Sequence, residues 1–350
     1  MGRTTERRIW FSPSARKFAP LARISANICE DSSMAALPTP QTPVVELRHL
    51  RPNQLTSLLE EETAVWQRQF EWDFRPSAEL VRRFLGMQAL SGHAILHGDQ
   101  AIGYVYYVAE DRKGLVGDLF VREGWLHAGY EAVLLDATVA SLQATPAVRR
   151  IESQLMMIPP DQHLNVPLPA RARSYSRDFF LFDTALAHRL LTRSPQARFD
   201  QWHERWSEDA AQLIPLSYRG HVDSDINDQY RSVGGSRRFL HNIVQYPGCG
   251  TFFQPASYVA TDGDGNLLGL CLASLVAHDI GHLTQICVSP AAQGRGLGYE
   301  LIRRSIETLR ASGCRKVSLT VTSSNREAIR LYERVGFERT RRFRAMVWDL

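Results

Sequence analysis

Six residues carry the clearest chemistry in this chain: Gln293-Gly294-Arg295-Gly296-Leu297-Gly298. They follow an apolar run ending Ile286-Cys287-Val288 and closed by Pro290, and they precede Leu301, Ile302, Ile306 and Leu309 at helical spacing. The arrangement reads as a strand, a glycine-rich turn and a helix N-terminus. Such a turn lets several backbone N–H groups converge on one point, where the helix dipole also favours negative charge. A Cβ at Gly296 or Gly298 would hinder the approach of a phosphate. The residues therefore suit an anion, most plainly a pyrophosphate. The dinucleotide fingerprint fails because Tyr299 stands in its third glycine position, and no acidic residue occurs near Lys316 and Val317. The P-loop fails because no Gly-Lys-Ser/Thr follows.

About thirty residues on comes Val321-x-x-x-Asn325-x-x-Ala328-x-x-x-Tyr332-x-x-x-Gly336-Phe337. Ser324 and Glu327 have the spacing of a capping box, Ala328, Leu331 and Tyr332 share a helix face, and Gly336 is placed as a C-cap. Together, in this order, the two motifs resemble those of the GNAT (GCN5-related N-acetyltransferase) superfamily. The resemblance is strong over roughly residues 210–350, and the order of elements extends it to the first half. It implies a mixed α/β (α+β) fold of two GNAT-like domains, each a twisted mixed sheet flanked by helices. It also implies an acyltransferase that moves acetyl from acetyl-CoA to a primary amine by direct attack in a ternary complex. The residues of the turn, Gln293, Gly294, Arg295, Gly296, Leu297 and Gly298, would cradle the coenzyme diphosphate. Backbone groups of Ile286 and Val288 would pair with the pantetheine arm, the Val288 N–H would face the thioester oxygen, and Asn325 would bond near the pantetheine. Tyr332 would protonate the leaving thiolate.

The same resemblance points to a base six residues before Val288, where His282 stands. Thr284, of the same parity, could orient a water. Arg295 and Arg326 are candidate phosphate contacts, and Cys287 is expected in the core. The first half reads as a decayed copy: with Val121 set against Val288, Gly129 falls opposite Gly296, but Leu126 replaces Gln293 and Glu131 replaces Gly298. A carboxylate there would repel a diphosphate. This copy is expected to pack on or shape the catalytic half rather than bind acyl-CoA. The alternatives are a non-catalytic acyl-CoA sensor or scaffold, and a protein or peptide N-terminal acetyltransferase.

The elements that must position these residues follow from periodicity. Helices are expected at Leu55–Phe70, Ala78–Leu90 and Ala132–Leu142, with strands at 44–50, 94–97, 101–108, 115–121 and 151–156. Phe199, Trp202 and Trp206, three and four apart, suggest a helix bridging the halves. Strands are then expected at 211–216, 257–261, 267–275 and 281–288, with helices at 225–231 and 237–246. The resulting domains are 44–190, a linker helix over 191–209, and a catalytic domain over 210–350. Residues 1–43 read as a disordered leader or a misplaced start preceding Met34, with an organelle-type targeting peptide as the other reading. The acceptor pocket is expected near Asp225–Tyr246, with Tyr230, Tyr246, Phe253 and Trp348 as candidates.

A chain of 350 residues suits two domains, and 44% apolar with 22% charged residues is ordinary globular composition. No run of 18 apolar residues occurs, so no membrane partner is expected. The net charge of +4 is too weak to nominate nucleic acid. Five scattered cysteines without a C-x-x-C suit reduced thiols in a cytoplasmic protein better than disulfides or zinc. Asp262–Asn266 and Asp223–Asn227 fail the calcium-loop pattern at Leu267 and Asp228, so no metal is expected. Acetyl-CoA and an amine acceptor are the expected partners of a monomer or homodimer.

Overall fold

The computed structural model describes residues 43–246 and 250–350; the expected leader, apart from Pro43, lies outside them. The first half runs β1 (Val44–Glu46), α1 (Pro52–Phe70), α2 (Arg75–Gly86), β2 (Gly92–His97), β3 (Gln100–Glu110), β4 (Lys113–Val121), α3 (Tyr130–Gln143), β5 (Arg150–Leu155) and β6 (Ala172–Asp183). The second half repeats the order with β7 (Arg198–Gln201), α4 (Ser207–Ser217), α5 (Asp223–Ile226), α6 (Val233–Gln245), β8 (Thr251–Phe252), β9 (Tyr258–Thr261) and β10 (Leu267–Ala277). It continues with β11 (Ile280–Val288), α7 (Leu297–Ala311), β12 (Lys316–Thr322), α8 (Arg326–Val335) and β13 (Glu338–Asp349).

The mixed sheet flanked by helices is as the sequence implies, but the two halves share it. Its strand order is β1-β2-β3-β4-β5-β13-β6-β12-β11-β10-β9-β7, with β8 attached to β10. The last strand of each half completes the other half's sheet. β6 runs antiparallel to β12, from Lys316↔Asp183 to Thr322↔Arg177. β13 runs antiparallel to β5, from Arg344↔Leu155 to Asp349↔Arg150, and it pairs with β6 on its other edge. The spans 44–190 and 210–350 therefore do not close as separate sheets.

Two expectations about the junction are corrected. The linker helix over 191–209 is replaced in part by β7, which pairs with β9 at the sheet edge. Phe199 packs with the apolar residues under α7, and Trp202 with those under α4 and α6. An odd separation along a strand sends two side chains to opposite faces, whereas a helix would have aligned them. The strand expected at 211–216 lies instead within α4. Ala210, Ala211, Leu213 and Ile214 are buried at helical spacing, and Glu208 and Asp209 sit in the first turn, where the dipole favours them.

In the second half, one face of the sheet carries α7 and α8 over Leu301, Ile302, Ile306, Leu309 and Ile329. The opposite face carries α4 and α6 over Leu213, Ile214, Leu240 and Leu272. The Asp262 loop is turn chemistry, its Oδ1 accepting the N–H groups of Asp264 and Asn266. Among the described residues no helix is long and apolar enough to cross a membrane.

Candidate active site

The site begins where two parallel strands part. β11 and β12 pair at Ile280↔Lys316, Gly281↔Val317 and His282↔Ser318 and no further, while β12 continues along β6. Beyond that point a gap opens between the strand ends. The Ser289 N–H donates to the Leu268 carbonyl of β10 at 2.7 Å. Backbone direction alternates along a strand, so Ile286 and Val288 aim their groups away from β10, into the gap. In keeping with this, the Tyr218 hydroxyl donates to the Ile286 carbonyl at 3.1 Å.

The glycine turn stands at the end of this bank. A 3₁₀ turn over Pro290–Ala292 leads to Gly294 at φ +75° and Gly296 at φ +86°, the latter the N-cap of α7. These left-handed conformations strain residues with a Cβ. The first i→i−4 bond runs from Glu300 N–H to the Gly296 carbonyl at 3.1 Å. The N–H groups of Leu297, Gly298 and Tyr299 are thus free of helical partners, as an anion site requires. Arg295 is exposed and lines a shallow open groove with Pro195, Gln196, Leu268 and Leu297. Sequence reasoning missed Arg193, which reaches this turn from the connector between β6 and β7. A Cβ on Gly296 would lie 3.7 Å from Arg193 Cδ, and the Arg193 guanidinium sits 4.6 Å above the Tyr299 ring. Its backbone N–H donates to the buried Glu300 carboxylate at 3.3 Å.

Across the gap, Tyr332 is buried on α8 among Phe180 and Phe337. Burial first, and then the charge of Asp223, hold its phenol well above the usual range, against the opposing influence of Arg177. It therefore keeps its proton at neutral pH. Asn325 is the N-cap of α8, its Oδ1 accepting the Ala328 N–H at 3.1 Å. The capping box expected from Ser324 is not formed: Asn325 stands directly before the first helical residue and takes the capping position itself. Gly336 closes the helix at φ +105°, as its type demands. Arg326 is exposed at the first turn of α8.

His282 is corrected. It is buried, its Nδ1 lies 2.9 Å from Ser318 Oγ, and the Trp72 ring of the first half packs on it at 4.9 Å. Burial, with help from Arg177, pushes its pKa down to about 3. An imidazole so placed is a poor acceptor for an ammonium proton at neutral pH. Thr284 is taken up by Ser274, hydroxyl to hydroxyl at 3.0 Å. Cys287 lies in the core, where burial pushes its thiol up to about 12. Trp348, expected near the acceptor, is buried in the first half with its Nε1 donating to the Pro167 carbonyl at 2.8 Å. Tyr246 is exposed.

The α4–α6 face of the gap holds further polar groups. Tyr218 and Tyr230 stack at 4.4 Å, Gln285 Nε2 donates to the Tyr218 hydroxyl at 3.1 Å, and the Tyr230 hydroxyl donates to Gln285 Oε1 at 3.2 Å. Asp223 accepts the Thr322 hydroxyl at the tip of β12. Of these, only Tyr230 was an expected pocket residue. The others are ordinary polar residues in sequence and acquire meaning by converging on one gap. The first half supports this lip: Lys113 Nζ binds Glu152 at 3.1 Å and Asp228 at 2.6 Å, and the Asp228 N–H donates to Glu152 at 3.0 Å.

Residues 224–337 match the model of the acetyltransferase (GNAT) family. A mycothiol acetyltransferase of Thermomonospora curvata is 40% identical over 88 residues, which is 25% of this chain. The chain covers only 30% of that relative's length. Two solved structures share the fold at low identity. A GCN5-related N-acetyltransferase from Sphaerobacter thermophilus has a TM-score of 0.60 at 14% identity, over 87% of this chain and 95% of that one. A tandem GNAT protein from the clavulanic acid biosynthesis pathway has a TM-score of 0.55 at 16% identity, over 87% and 97%. The GNAT family model is thus matched within the second half, over residues 224–337, and the fold of the two solved structures extends over most of the chain.

Proposed function

We propose that the second half transfers acetyl from acetyl-CoA to a primary amine. The observation that carries this reading is the convergence of three features on one gap: the parted edge of β11, the left-handed glycines opening α7, and the protonated phenol of Tyr332. Gln293 to Gly298 hold the diphosphate through backbone N–H groups. The Ile286 and Val288 edge guides the pantetheine, with Asn325 beside it. The Val288 N–H donates to the thioester oxygen and then to the oxyanion, a donor set in place before charge develops. The amine nitrogen forms its bond to the carbonyl carbon, the C–S bond breaks, and Tyr332 supplies the proton that the thiolate needs, a contribution of about 10²–10⁴ in rate. Cys287 takes no part, since a buried thiol is a poor nucleophile. With α7 and α8 on the coenzyme side, the acceptor enters from the α4–α6 face. The relative's name puts amines of the mycothiol kind among the acceptors to test.

The test is calorimetric titration of acetyl-CoA into the wild-type protein and Gly296→Val. A β-branched residue at φ +86° is strained, and its Cβ would stand beside Arg193 at the mouth of the turn. The variant should lose affinity by about 100-fold or more, roughly 2.7 kcal/mol, with an unchanged far-ultraviolet spectrum. Equal affinities would defeat the diphosphate cradle.

A further inference from the structure

The buried His282 leaves the acceptor's proton without a destination, and the α4–α6 face supplies one. We infer that the Asp223 carboxylate receives the acceptor's ammonium group and that His221 leads its proton to solvent. This rests on the acetyl-transfer reading given above.

Asp223 opens α5 directly over the gap. Its Oδ1 accepts the Thr322 hydroxyl from the tip of β12, on the bank opposite Val288. Tyr218, reaching from α4, touches the near bank at the Ile286 carbonyl. After burial, the charge of the same carboxylate raises the pKa of both the Tyr218 and the Tyr332 phenols. Arg177 of β6 faces the same carboxylate, its Nη1 3.9 Å from Oδ1, beyond hydrogen-bond distance. It donates instead to Thr320 at 3.2 Å. Asp223 Oδ2 faces His221, whose Nδ1 lies 3.3 Å away and accepts the backbone N–H of Asp223 at 3.2 Å.

The two side chains differ in their access to water. Asp223 is 13% exposed and His221 is 30% exposed, so the pair runs from the sheltered gap to the surface. The His221 ring is held edge-on against Tyr218 at 5.5 Å. Neighbouring carboxylates are committed elsewhere: Asp225 pairs with Arg231 at 3.0 Å, and Asp228 binds Lys113 of the first half. Of these three acids Asp223 is thus the one with no lysine or arginine at hydrogen-bond distance and the one bonded to the tip of β12.

The protons balance. An ammonium ion docks on Asp223 and passes one proton through His221 to solvent, which frees the lone pair. Attack forms the N–C bond, the C–S bond breaks, and the thiolate takes the Tyr332 proton. The nitrogen's second proton restores the phenol. Net, one ammonium and one thioester give one amide, one thiol and one released proton.

Asp223→Asn, which keeps shape and removes charge, tests the assignment beside Asp223→Glu and His221→Gln. Acetyl-CoA affinity should stay within twofold of wild type in all three. Thiol release with D-glucosamine, tyramine and trialanine as acceptors should fall at least 100-fold in kcat/KM for Asp223→Asn, with partial recovery in Asp223→Glu. His221→Gln should lower kcat about 10-fold and displace the acid limb of its pH profile. Each amine should raise the thermal midpoint of the wild-type protein with CoA but not that of Asp223→Asn with CoA. Transfer by Asp223→Asn within threefold of wild type, or equal amine-dependent midpoints, would overturn the inference while leaving the coenzyme site standing. Failure of the wild-type protein to bind acetyl-CoA would instead overturn the acetyl-transfer reading, and this inference with it.

Discussion

At the end of β11 the chain passes through two left-handed glycines into α7; at the end of β4 it passes through Gly129, at φ +75°, into α3. The backbone plan is the same, and the side chains placed on it are opposed. Gly298, one position inside the second helix, corresponds to Glu131, which is buried at the head of α3 with its carboxylate accepting Gln162 Nε2 at 3.0 Å. The strands part in both halves, β4 and β5 after Val116↔Ser153. In the first half, however, Tyr106 lies so close over Gly117 that a Cβ there would sit 2.2 Å from its ring. One copy keeps an open gap beside N–H groups free of helical partners, and the other fills the corresponding ground with the Tyr106 ring and the carboxylates of Glu131 and Asp118. A repeated fold can retain its packing role after its anion chemistry is gone, because the two depend on different atoms.

That packing role is where the largest effect is expected. Trp348 belongs to β13 of the second half, yet it is fully buried among Leu134, Leu135, Ile151 and Leu155 of the first. Trp348→Ala should cost about 3–5 kcal/mol, read as a drop in the denaturant midpoint. Because β6 and β13 are exchanged, wild type and variant should each unfold in a single calorimetric transition, with acetyl-CoA binding lost in the same step. Two separated transitions would break the comparison by making the halves independent.

What the sequence revealed and what it hid divide along the same line. The glycines of the turn, the C-cap Gly336 and the phenol of Tyr332 were legible because left-handed backbone and helical periodicity are local demands. The exchange of β6 and β13 was not, since it pairs residues such as Trp348 and Ile151 that lie far apart in the chain. His282 looked like a base because nothing near it in sequence shows that Trp72 will cover it. Phe199 and Trp202 mimicked a helical stripe while lying on opposite faces of the sheet. Arg193, Asp223 and His221 were hidden for the converse reason: Asp223 drew notice only as part of a failed calcium loop, and nothing local to any of the three shows that the fold will carry it to the gap.

The contrast between the turns can be broken by moving one residue across it. Gly298→Glu installs the first half's carboxylate in the second half's cradle. A Cβ at Gly298 would stand 3.3 Å from Leu331 Cδ2 and 3.7 Å from Val288 Cγ2, so small shifts accommodate it. The added charge beside the diphosphate should weaken acetyl-CoA binding about 30- to 100-fold, roughly 2–2.7 kcal/mol. Gly298→Gln, of nearly equal size, should lose less than half of that free energy. Equal losses in a calorimetric titration would assign the effect to bulk and remove charge from the account of why the first copy is silent.

The smallest expected effect concerns the acids that closed the first half. Burial raises the Asp118 carboxyl to about 6, against the contact its Oδ2 receives from the Tyr106 hydroxyl at 3.4 Å. Its folded-state pKa lies above that of the unfolded chain, so between about pH 4 and 6 the native state binds more protons and stability falls as pH rises. Above that window the folded protein carries the full cost of the ion. Asp118→Asn, which keeps an acceptor for Tyr106, should therefore match wild type near pH 4 and exceed it at pH 8 by about 1 kcal/mol, discounted from the full shift because the side chain is only half-buried. Denaturant melts at the two pH values measure this. A gain of the same size at both would show that packing rather than charge separates this closed gap from the open one, whereas a gain confined to high pH would mark Asp118 as an ion that the first half tolerates at a cost.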